Sequence, residues 1–204
     1  MIKIRVNHCG IIVLAAGLST RLGTPKQVLI YEGKTLLKHA LEAALGTDMR
    51  PVLVVQGASL PSVTREMEEM AGILLVTNQG WQEGMASSIR CGVEAAMQTE
   101  PGLEGLIIMV CDQPFVSSGL LEELLLTQQN TGKPMVASFY RDNSGVPALF
   151  HKSLFNSLLT LTGDRGARQL LKDQSDRVAR VYFPGGETDI DTMEDYLKLS
   201  EKKK

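Results

Sequence analysis

The sequence predicts an α/β protein built as a three-layer α/β/α sandwich, with helices on both faces of a mainly parallel, mixed central sheet. Strand-like and helix-like segments alternate through the first two thirds of the 204 residues, which is typical of consecutive βαβ units. The strand-like segments are short, continuous apolar runs, as expected for strands buried on both faces. Neither an internal repeat nor a low-complexity linker interrupts this pattern, so we expect one domain over residues 1–204.

The apolar runs define the predicted strands. They lie at residues 11–14, 52–55, 73–76, 106–110, 135–139 and 178–183, with a short extended stretch at 28–30 and a strand at 145–150. Helices are predicted over residues 35–45, 87–97, 118–129 and 151–161, and from about residue 166. Pro61 marks another helix start, because a first helical turn does not need its missing N–H. Thr192 and Asp195 have the spacing of a capping box, which predicts a last helix.

Composition limits the classes of partner. A formal net charge of −2 gives no electrostatic reason to expect nucleic acid. No apolar run is long enough to span a bilayer, so no membrane is expected. Cys9, Cys91 and Cys111 are an odd number without CxxC spacing, and each lies in or beside an apolar segment. We therefore expect buried, reduced thiols in a cytoplasmic protein.

The stretch GIIVLAAGLSTRLGTPK, residues 10–26, joins a predicted central strand to a loop with the properties of a polyphosphate site. Residues 15–17 are too small to keep a ligand away from the main chain. The glycine of that group and Gly23 can take positive φ, which allows several N–H groups to point inward. Arg21 and Lys26 add two positive charges. These groups suit charge-assisted hydrogen bonds to a triphosphate.

Other interpretations of this stretch are weaker. The glycine spacing does not match the dinucleotide fingerprint GxGxxG, and the Walker-like segment at residues 33–35 lacks its first glycine, because position 28 is Val28. A signal peptide is disfavoured because Asn7 and His8 interrupt the apolar run. The remaining alternative is that the glycines only form a turn between a strand and a helix.

Two aspartates are candidates for a metal site. Asp112 follows a predicted buried strand, and Asp191 lies just before a predicted helix. In open α/β sheets, ligands bind beyond the carboxyl ends of strands, and Mg²⁺ takes hard oxygen ligands with one or two carboxylates among them. Asp112 could instead cap a turn, and the acidic group around Asp191 could only complement a helix dipole.

The segment LAAGLSTRLGTPK fits, position for position, the pattern LAAGxSxRxGxxK that opens nucleotidyltransferases related to molybdenum cofactor synthesis. The chain most resembles the molybdenum cofactor cytidylyltransferase family, among the MobA-like NTP transferases. The resemblance continues through NQGWQEGMASSIRCG, VCDQP, GVPALF, GDRGAR and DIDTMEDY, and so covers most of the chain. It implies a Rossmann-like fold of the nucleotide-diphospho-sugar transferase type.

The resemblance also implies roles for individual residues. Catalytic roles fall on Lys26, Arg21 and Asp112, and Mg²⁺ ligands on Asp112 and Asp191. The implied nucleotide-binding residues are Leu14, Ala15, Ala16, Gly17, Lys26, Gln56, Asn78, Ser88 and Asp112. In this superfamily LAAG tends to accompany CTP and LAGG tends to accompany GTP, so Ala16 favours CTP. The implied reaction transfers CMP from CTP to the phosphate of molybdopterin and releases pyrophosphate.

Several alternatives stay open at this point. The nucleotide could be GTP, the acceptor could be a sugar phosphate, or the protein could be a non-catalytic assembly factor with a molybdoenzyme client. Gln56, Asn78 and Ser88 could cap loops instead of contacting a nucleotide. Trp81 could be a lid or a packing residue. An anionic pterin phosphate could meet the polar group of GDRGAR, or this group could be only an exposed helix start; its members are Asp164, Arg165 and Arg168.

Overall fold

The structure, a computed structural model, describes residues 5–17, 22–57, 70–164, 166–188, 190 and 192–201. Arg21, Arg165, Asp191 and the helix predicted after Pro61 lie outside these residues. The strands are β1 (Cys9–Ala15), β2 (Ile30–Tyr31), β3 (Lys34–Thr35), β4 (Val52–Gln56), β5 (Ile73–Thr77), β6 (Gly105–Val110), β7 (Met135–Tyr140), β8 (Asn143–His151) and β9 (Val178–Tyr182).

The described strands form a seven-stranded sheet in the order β5-β4-β1-β6-β8-β7-β9 and a separate antiparallel pair, β2-β3. Strands β5, β4, β1 and β6 are mutually parallel. Strand β8 is antiparallel to both of its neighbours, and β9 is parallel to β7. The sheet is therefore mixed but mainly parallel, which confirms the predicted fold class.

The helices are α1 (Leu36–Leu45), α2 (Met85–Thr99), α3 (Ser118–Thr131), α4 (Phe155–Leu159), α5 (Gly166–Asp173) and α6 (Met193–Glu201). Side-chain caps fix several of their starts, as polar N-cap residues commonly do. The Thr35 hydroxyl accepts from the Lys38 N–H at 3.0 Å, and Ser117 accepts from the Leu120 N–H at 3.3 Å. The capping box predicted before α6 is confirmed: Oδ2 of Asp195 accepts from the Thr192 N–H at 2.9 Å, and the backbone N–H of Asp195 donates to the Thr192 hydroxyl at 3.2 Å.

Strand β1 shows why the sandwich has three layers. All seven of its residues are buried, and successive side chains enter opposite cores. Ile11 and Val13 pack in the core formed with α1 and α3, whereas Ile12 and Leu14 pack in the core formed with α2 and α5. Burial on both faces is the reason that β1 is a continuous apolar run.

Two predicted segments differ from the structure. The helix predicted over residues 151–161 is a 3₁₀ turn (Lys152–Leu154) followed by the short α4. His151 ends β8 instead, because its N–H donates to the Pro134 carbonyl at 2.9 Å and it pairs with Gly105 of β6. The extended stretch predicted at 28–30 begins later, since Val28 ends a 3₁₀ turn and β2 starts at Ile30.

The cysteines are free thiols, as expected. Cys9 and Cys111 are buried, and burial raises the pKa of each thiol to about 12. Cys91 is only partly buried, so the expectation of a fully buried thiol is wrong there. Burial and the nearby Glu94 carboxylate still raise the pKa of the Cys91 thiol. None of the helices in the described ranges has the length and apolar character needed to cross a membrane.

Gly92 allows α2 to approach the sheet closely, and we expect Gly92→Ala to destabilise the protein. An added Cβ would lie 2.9 Å from a methyl of Ile12 and 3.0 Å from a methyl of Val55, both branched and fully buried. Overpacking of this kind costs about 1–3 kcal/mol, more than the gain of about 1 kcal/mol from replacing a helical glycine. Urea unfolding measures the difference.

The matched control is Gly119→Ala, on the exposed side of α3. There the nearest atom to an added Cβ is 3.9 Å away. We expect this variant to keep or slightly raise the free energy of unfolding. Equal effects of the two substitutions would contradict the close approach at Gly92.

Candidate functional site

A cavity of about 450 Å³ lies beyond the carboxyl ends of β1 and β6. Seven of the predicted nucleotide-binding residues line it: Leu14, Ala15, Ala16, Gly17, Lys26, Ser88 and Asp112. The predicted residues Gln56 and Asn78 do not line it. Further lining residues are Gln27, Trp81, Gln82, Gly84, Met85, Val110, Cys111 and Asp164. The structure therefore brings the LAAG loop, the lysine and the first aspartate together.

Two oppositely charged side chains that line the cavity form an ion pair. The Nζ of Lys26 donates to Oδ2 of Asp112 at 2.9 Å, although the two residues are 86 positions apart in the chain. Their side chains are 19% and 18% exposed, so both charges are largely shielded from solvent yet can be reached from the cavity. An ammonium of this kind can bind phosphate oxygens, and the carboxylate is a hard ligand for a divalent cation.

The buried amide of Gln27 holds the LAAG loop. Its Nε2 donates to the carbonyl of Ala15 at 2.6 Å and to that of Gly17 at 3.4 Å. Gln27 is 3% exposed and lies in a short 3₁₀ turn (Lys26–Val28). Sequence analysis missed this residue. The available signal was a polar residue directly after the lysine that ends the LAAGxSxRxGxxK pattern.

Trp81 both lines the cavity and packs against the loop region. A Cβ on Gly57 would lie 2.8 Å from Cγ of Trp81 and 2.9 Å from the carbonyl oxygen of Ala16. Glycine is therefore required between the indole and the loop backbone. The two alternatives for Trp81, a wall of the ligand site and a packing residue, are compatible in this position.

Asn78 and Gln56 support neighbouring loops. The Nδ2 of Asn78 donates to the hydroxyls of Ser87 and Ser88 at 2.8 and 3.0 Å, and its Oδ1 accepts from the Gly80 N–H at 2.9 Å. Asn78 thus ties the loop after β5 to the first turn of α2, as a loop cap does. The Nε2 of Gln56 donates to the Thr77 hydroxyl at 3.3 Å, across the ends of β4 and β5.

Among the described residues of the GDRGAR group, one lies at the cavity. Asp164 lines it, and the Ala86 N–H donates to the Gly163 carbonyl at 3.0 Å, which docks this turn on the start of α2. Arg168 is exposed on α5 and does not line the cavity. Of the two described members, Asp164 and Arg168, the carboxylate is therefore the one placed to meet a ligand.

The described residues just before Asp191 are held against the Asp112 loop. The Ile190 N–H lies 3.4 Å from the backbone carbonyl of Asp112, and Nε2 of Gln113 donates to the Gly186 carbonyl at 2.9 Å. Gln113 is 3% exposed, so this link is internal. Sequence analysis did not identify Gln113 as a supporting residue. Within the described ranges no group of three or more His, Cys, Asp or Glu side chains is arranged to hold a metal.

The chain is an α/β protein with a cavity at the carboxyl ends of its parallel strands, and comparison with known proteins specifies its class. The family described as "MobA-like NTP transferase domain" matches residues 11–178. The chain therefore belongs to the MobA-like NTP transferase domain family and is a nucleotidyltransferase. This confirms the predicted family at the level of the MobA-like domain, together with the predicted class of enzyme.

Individual relatives cover nearly the whole chain. Nicotine blue oxidoreductase of Paenarthrobacter nicotinovorans is 29% identical over 197 residues, covering 92% of this chain and 94% of that protein. The purine catabolism protein PucB of Bacillus subtilis strain 168 is 29% identical over 199 residues, with 91% and 92% covered. The crystal structure of Rv0371c from Mycobacterium tuberculosis H37Rv has 28% identity and a TM-score of 0.78, covering 96% of this chain and 99% of that one. Its complex with manganese has 26% identity and a TM-score of 0.75, with 95% and 98% covered.

Gly84 permits the contact between α2 and the Asp164 turn, and we expect Gly84→Ala to destabilise the protein. Its φ of 112° disfavours any side chain, and an added Cβ would lie 2.9 Å from the Gly163 carbonyl oxygen. Backbone strain of this kind costs about 1–3 kcal/mol. The midpoint of urea unfolding should fall accordingly.

Gly80→Ala is the control, because Gly80 has an ordinary φ of −95° and its nearest contact to an added Cβ is at 3.6 Å. We expect a change within about 0.5 kcal/mol, as for most surface substitutions. An equal loss in both variants would show that the Asp164 turn does not constrain position 84.

Proposed function

We propose that this protein is a magnesium-dependent cytidylyltransferase that transfers CMP from CTP to the phosphate of molybdopterin or of its molybdenum-loaded form. The observation that carries the proposal is the Lys26–Asp112 pair at 2.9 Å beside the backbone of the LAAG loop. An acceptor phosphate oxygen forms a bond to the α-phosphorus. The bond from that phosphorus to the bridging oxygen breaks, and pyrophosphate leaves with the electron pair.

The cations of this chain serve the leaving group. Lys26 at the cavity, together with Arg21 of the same loop sequence, neutralises charge on the departing pyrophosphate. A phosphate monoester is already ionised near neutral pH, so the attack needs no general base. Catalysis then consists of positioning and charge stabilisation, as in phosphoryl transfer generally.

Asp112 and Asp191 are proposed to hold Mg²⁺. The donor chemistry fits, because carboxylate oxygens are the ligands Mg²⁺ prefers. The contact from the Ile190 N–H to the Asp112 carbonyl supports the pairing, since Asp191 is the next residue in the chain. Support also comes from the manganese bound to the mycobacterial relative. When bound, the ion would polarise the α-phosphate.

The choice of CTP and of molybdopterin rests on the resemblance to cytidylyltransferases. Ala16 of LAAG favours CTP over GTP, and the MobA-like family description supports a molybdenum cofactor acceptor. One relative is named an oxidoreductase. We propose group transfer because the loop has a polyphosphate pattern and lacks the spacing of a dinucleotide fingerprint.

The first test measures nucleotide binding by thermal unfolding. CTP, GTP, UTP and ATP are compared with Mg²⁺, for the wild type, Asp112→Asn and the exposed control Glu123→Gln on α3. A ligand at one hundred times its Kd adds about 2.7 kcal/mol to the free energy of unfolding. We expect selective stabilisation by CTP that Asp112→Asn weakens and Glu123→Gln retains.

A preference for GTP in this test would overturn the inference from Ala16 and leave the reaction type intact. Stabilisation by none of the four nucleotides, with or without the acceptor present, would overturn the proposal itself.

Lys26→Met should lower the rate of pyrophosphate release from CTP and molybdopterin by roughly two to three orders of magnitude, the usual loss for a preorganised charge contact. The control is Lys172→Met, which removes an exposed lysine on α5. A coupled pyrophosphate assay measures both. If wild type releases no pyrophosphate with any phosphorylated acceptor yet binds a molybdoenzyme, the assembly-factor alternative is correct.

A further inference from the structure

Gln27 is a buried polar side chain that the proposed reaction does not use. It is 3% exposed and lies directly after Lys26, in the same 3₁₀ turn. A buried amide is costly unless it is hydrogen-bonded. Here Nε2 donates to the carbonyls of Ala15 and Gly17, while Oε1 is buried without a partner among the described residues. Within the described residues, the hydrogen bonds of this amide therefore all go from Nε2 to carbonyls of the LAAG loop.

These contacts occur where β1 stops pairing with its neighbouring strands. The pairing of β1 with β6 ends at Leu14 and Val110, and its pairing with β4 ends at Ala15 and Gln56. At Ala15, where this pairing ends, and at Gly17 beyond it, the Gln27 amide supplies a hydrogen-bond donor to the backbone carbonyl. The side chain thus extends the backbone support of β1 by two residues.

Fixing a carbonyl also fixes the amide on the other side of the same peptide bond. The peptide is planar and trans, so the Ala16 N–H points away from the oxygen that Gln27 holds on Ala15. The Ala16 carbonyl lies close to Gly57, because a Cβ added there would be 2.9 Å from it. The Gln27 hydrogen bonds therefore orient the peptide between Ala15 and Ala16 without a ligand.

We propose that Gln27 is a positioning residue for the nucleotide. Its amide holds the LAAG backbone in its binding conformation and fixes this loop relative to the Lys26 ammonium, which the same turn carries. Pre-organising a loop raises affinity by removing part of the cost of ordering it on binding. The inference rests on the proposed function only in taking a nucleoside triphosphate as the ligand.

Gln27→Met tests the proposal, because methionine has similar length and no donor. We expect the Kd for CTP with Mg²⁺, measured by calorimetry, to rise at least tenfold, which corresponds to about 1.4 kcal/mol. The matched control is Gln128→Met. Gln128 is fully buried and also bridges backbone groups, accepting from the Val6 N–H at 2.8 Å and donating to the Lys133 carbonyl at 3.1 Å. Gln128 lies on α3, and its partner Val6 precedes β1 at the end of the strand away from the LAAG loop, so its loss should lower stability without changing the Kd.

Gln27→Glu allows a second measurement, the pH dependence of CTP binding, which a purely structural role of Gln27 would leave unchanged. A neutral carboxyl can donate one hydrogen bond to the Ala15 carbonyl, whereas an ionised carboxylate would repel it, and burial raises the pKa of such a carboxyl. The ratio of the variant's Kd to that of wild type should fall as pH is lowered from 8 to 6. A Kd for Gln27→Glu equal to that of wild type at pH 8 would overturn the proposal, because an ionised carboxylate cannot donate a hydrogen bond to the loop.

The outcomes separate this inference from the proposed function. If wild type binds no nucleoside triphosphate, the proposed function fails. If wild type binds CTP and a folded Gln27→Met variant binds it within twofold of the same Kd, only the role of Gln27 fails. A Kd that rises equally in Gln27→Met and Gln128→Met would also overturn it, since the effect would then reflect general destabilisation.

Discussion

The shared direction of β4, β1 and β6 determines which loops of this protein come together to form the cavity. Because the three strands are parallel neighbours, the residues that follow each of them reach the same edge of the sheet. Lys26 arrives there through the loop after β1, and Asp112 arrives directly after β6. Their contact at 2.9 Å is a consequence of this topology, since 86 residues separate them in the chain.

Loops that approach a ligand closely need small side chains, and small side chains contribute little packing. Here buried amides hold the loops in place instead. Gln27 holds the LAAG backbone, Asn78 holds the loop after β5, and Gln113 links the Asp112 loop to the Gly186 carbonyl. Losing one of these bonds would leave a buried N–H group unpaired at a cost of about 1–3 kcal/mol. The donated bonds therefore favour one loop geometry, although Oε1 of Gln27 and of Gln113 has no partner among the described residues.

The layers of the fold and the loops at the cavity could be predicted from the sequence, because continuous apolar runs and glycine spacing are local signals. The supporting roles of Gln27 and Gln113 could not be predicted, since a buried glutamine and an exposed one look the same in a sequence. The boundary at His151 was missed for a related reason: its backbone is held by Pro134 and Gly105, which are distant in the chain. Apolar periodicity after His151 is compatible with a helix, and tertiary pairing decides against it.

The Lys26–Asp112 pair also explains how two opposite charges are stable in one cavity before a charged ligand binds. Each side chain is about four-fifths shielded, so neither would be stable there without a partner. In the proposed reaction the ammonium exchanges a carboxylate for phosphate oxygens, and the carboxylate exchanges an ammonium for a divalent cation. Each charge remains compensated before and after binding. The groups are therefore already oriented when the ligand enters, which is the condition for electrostatic stabilisation of a transition state.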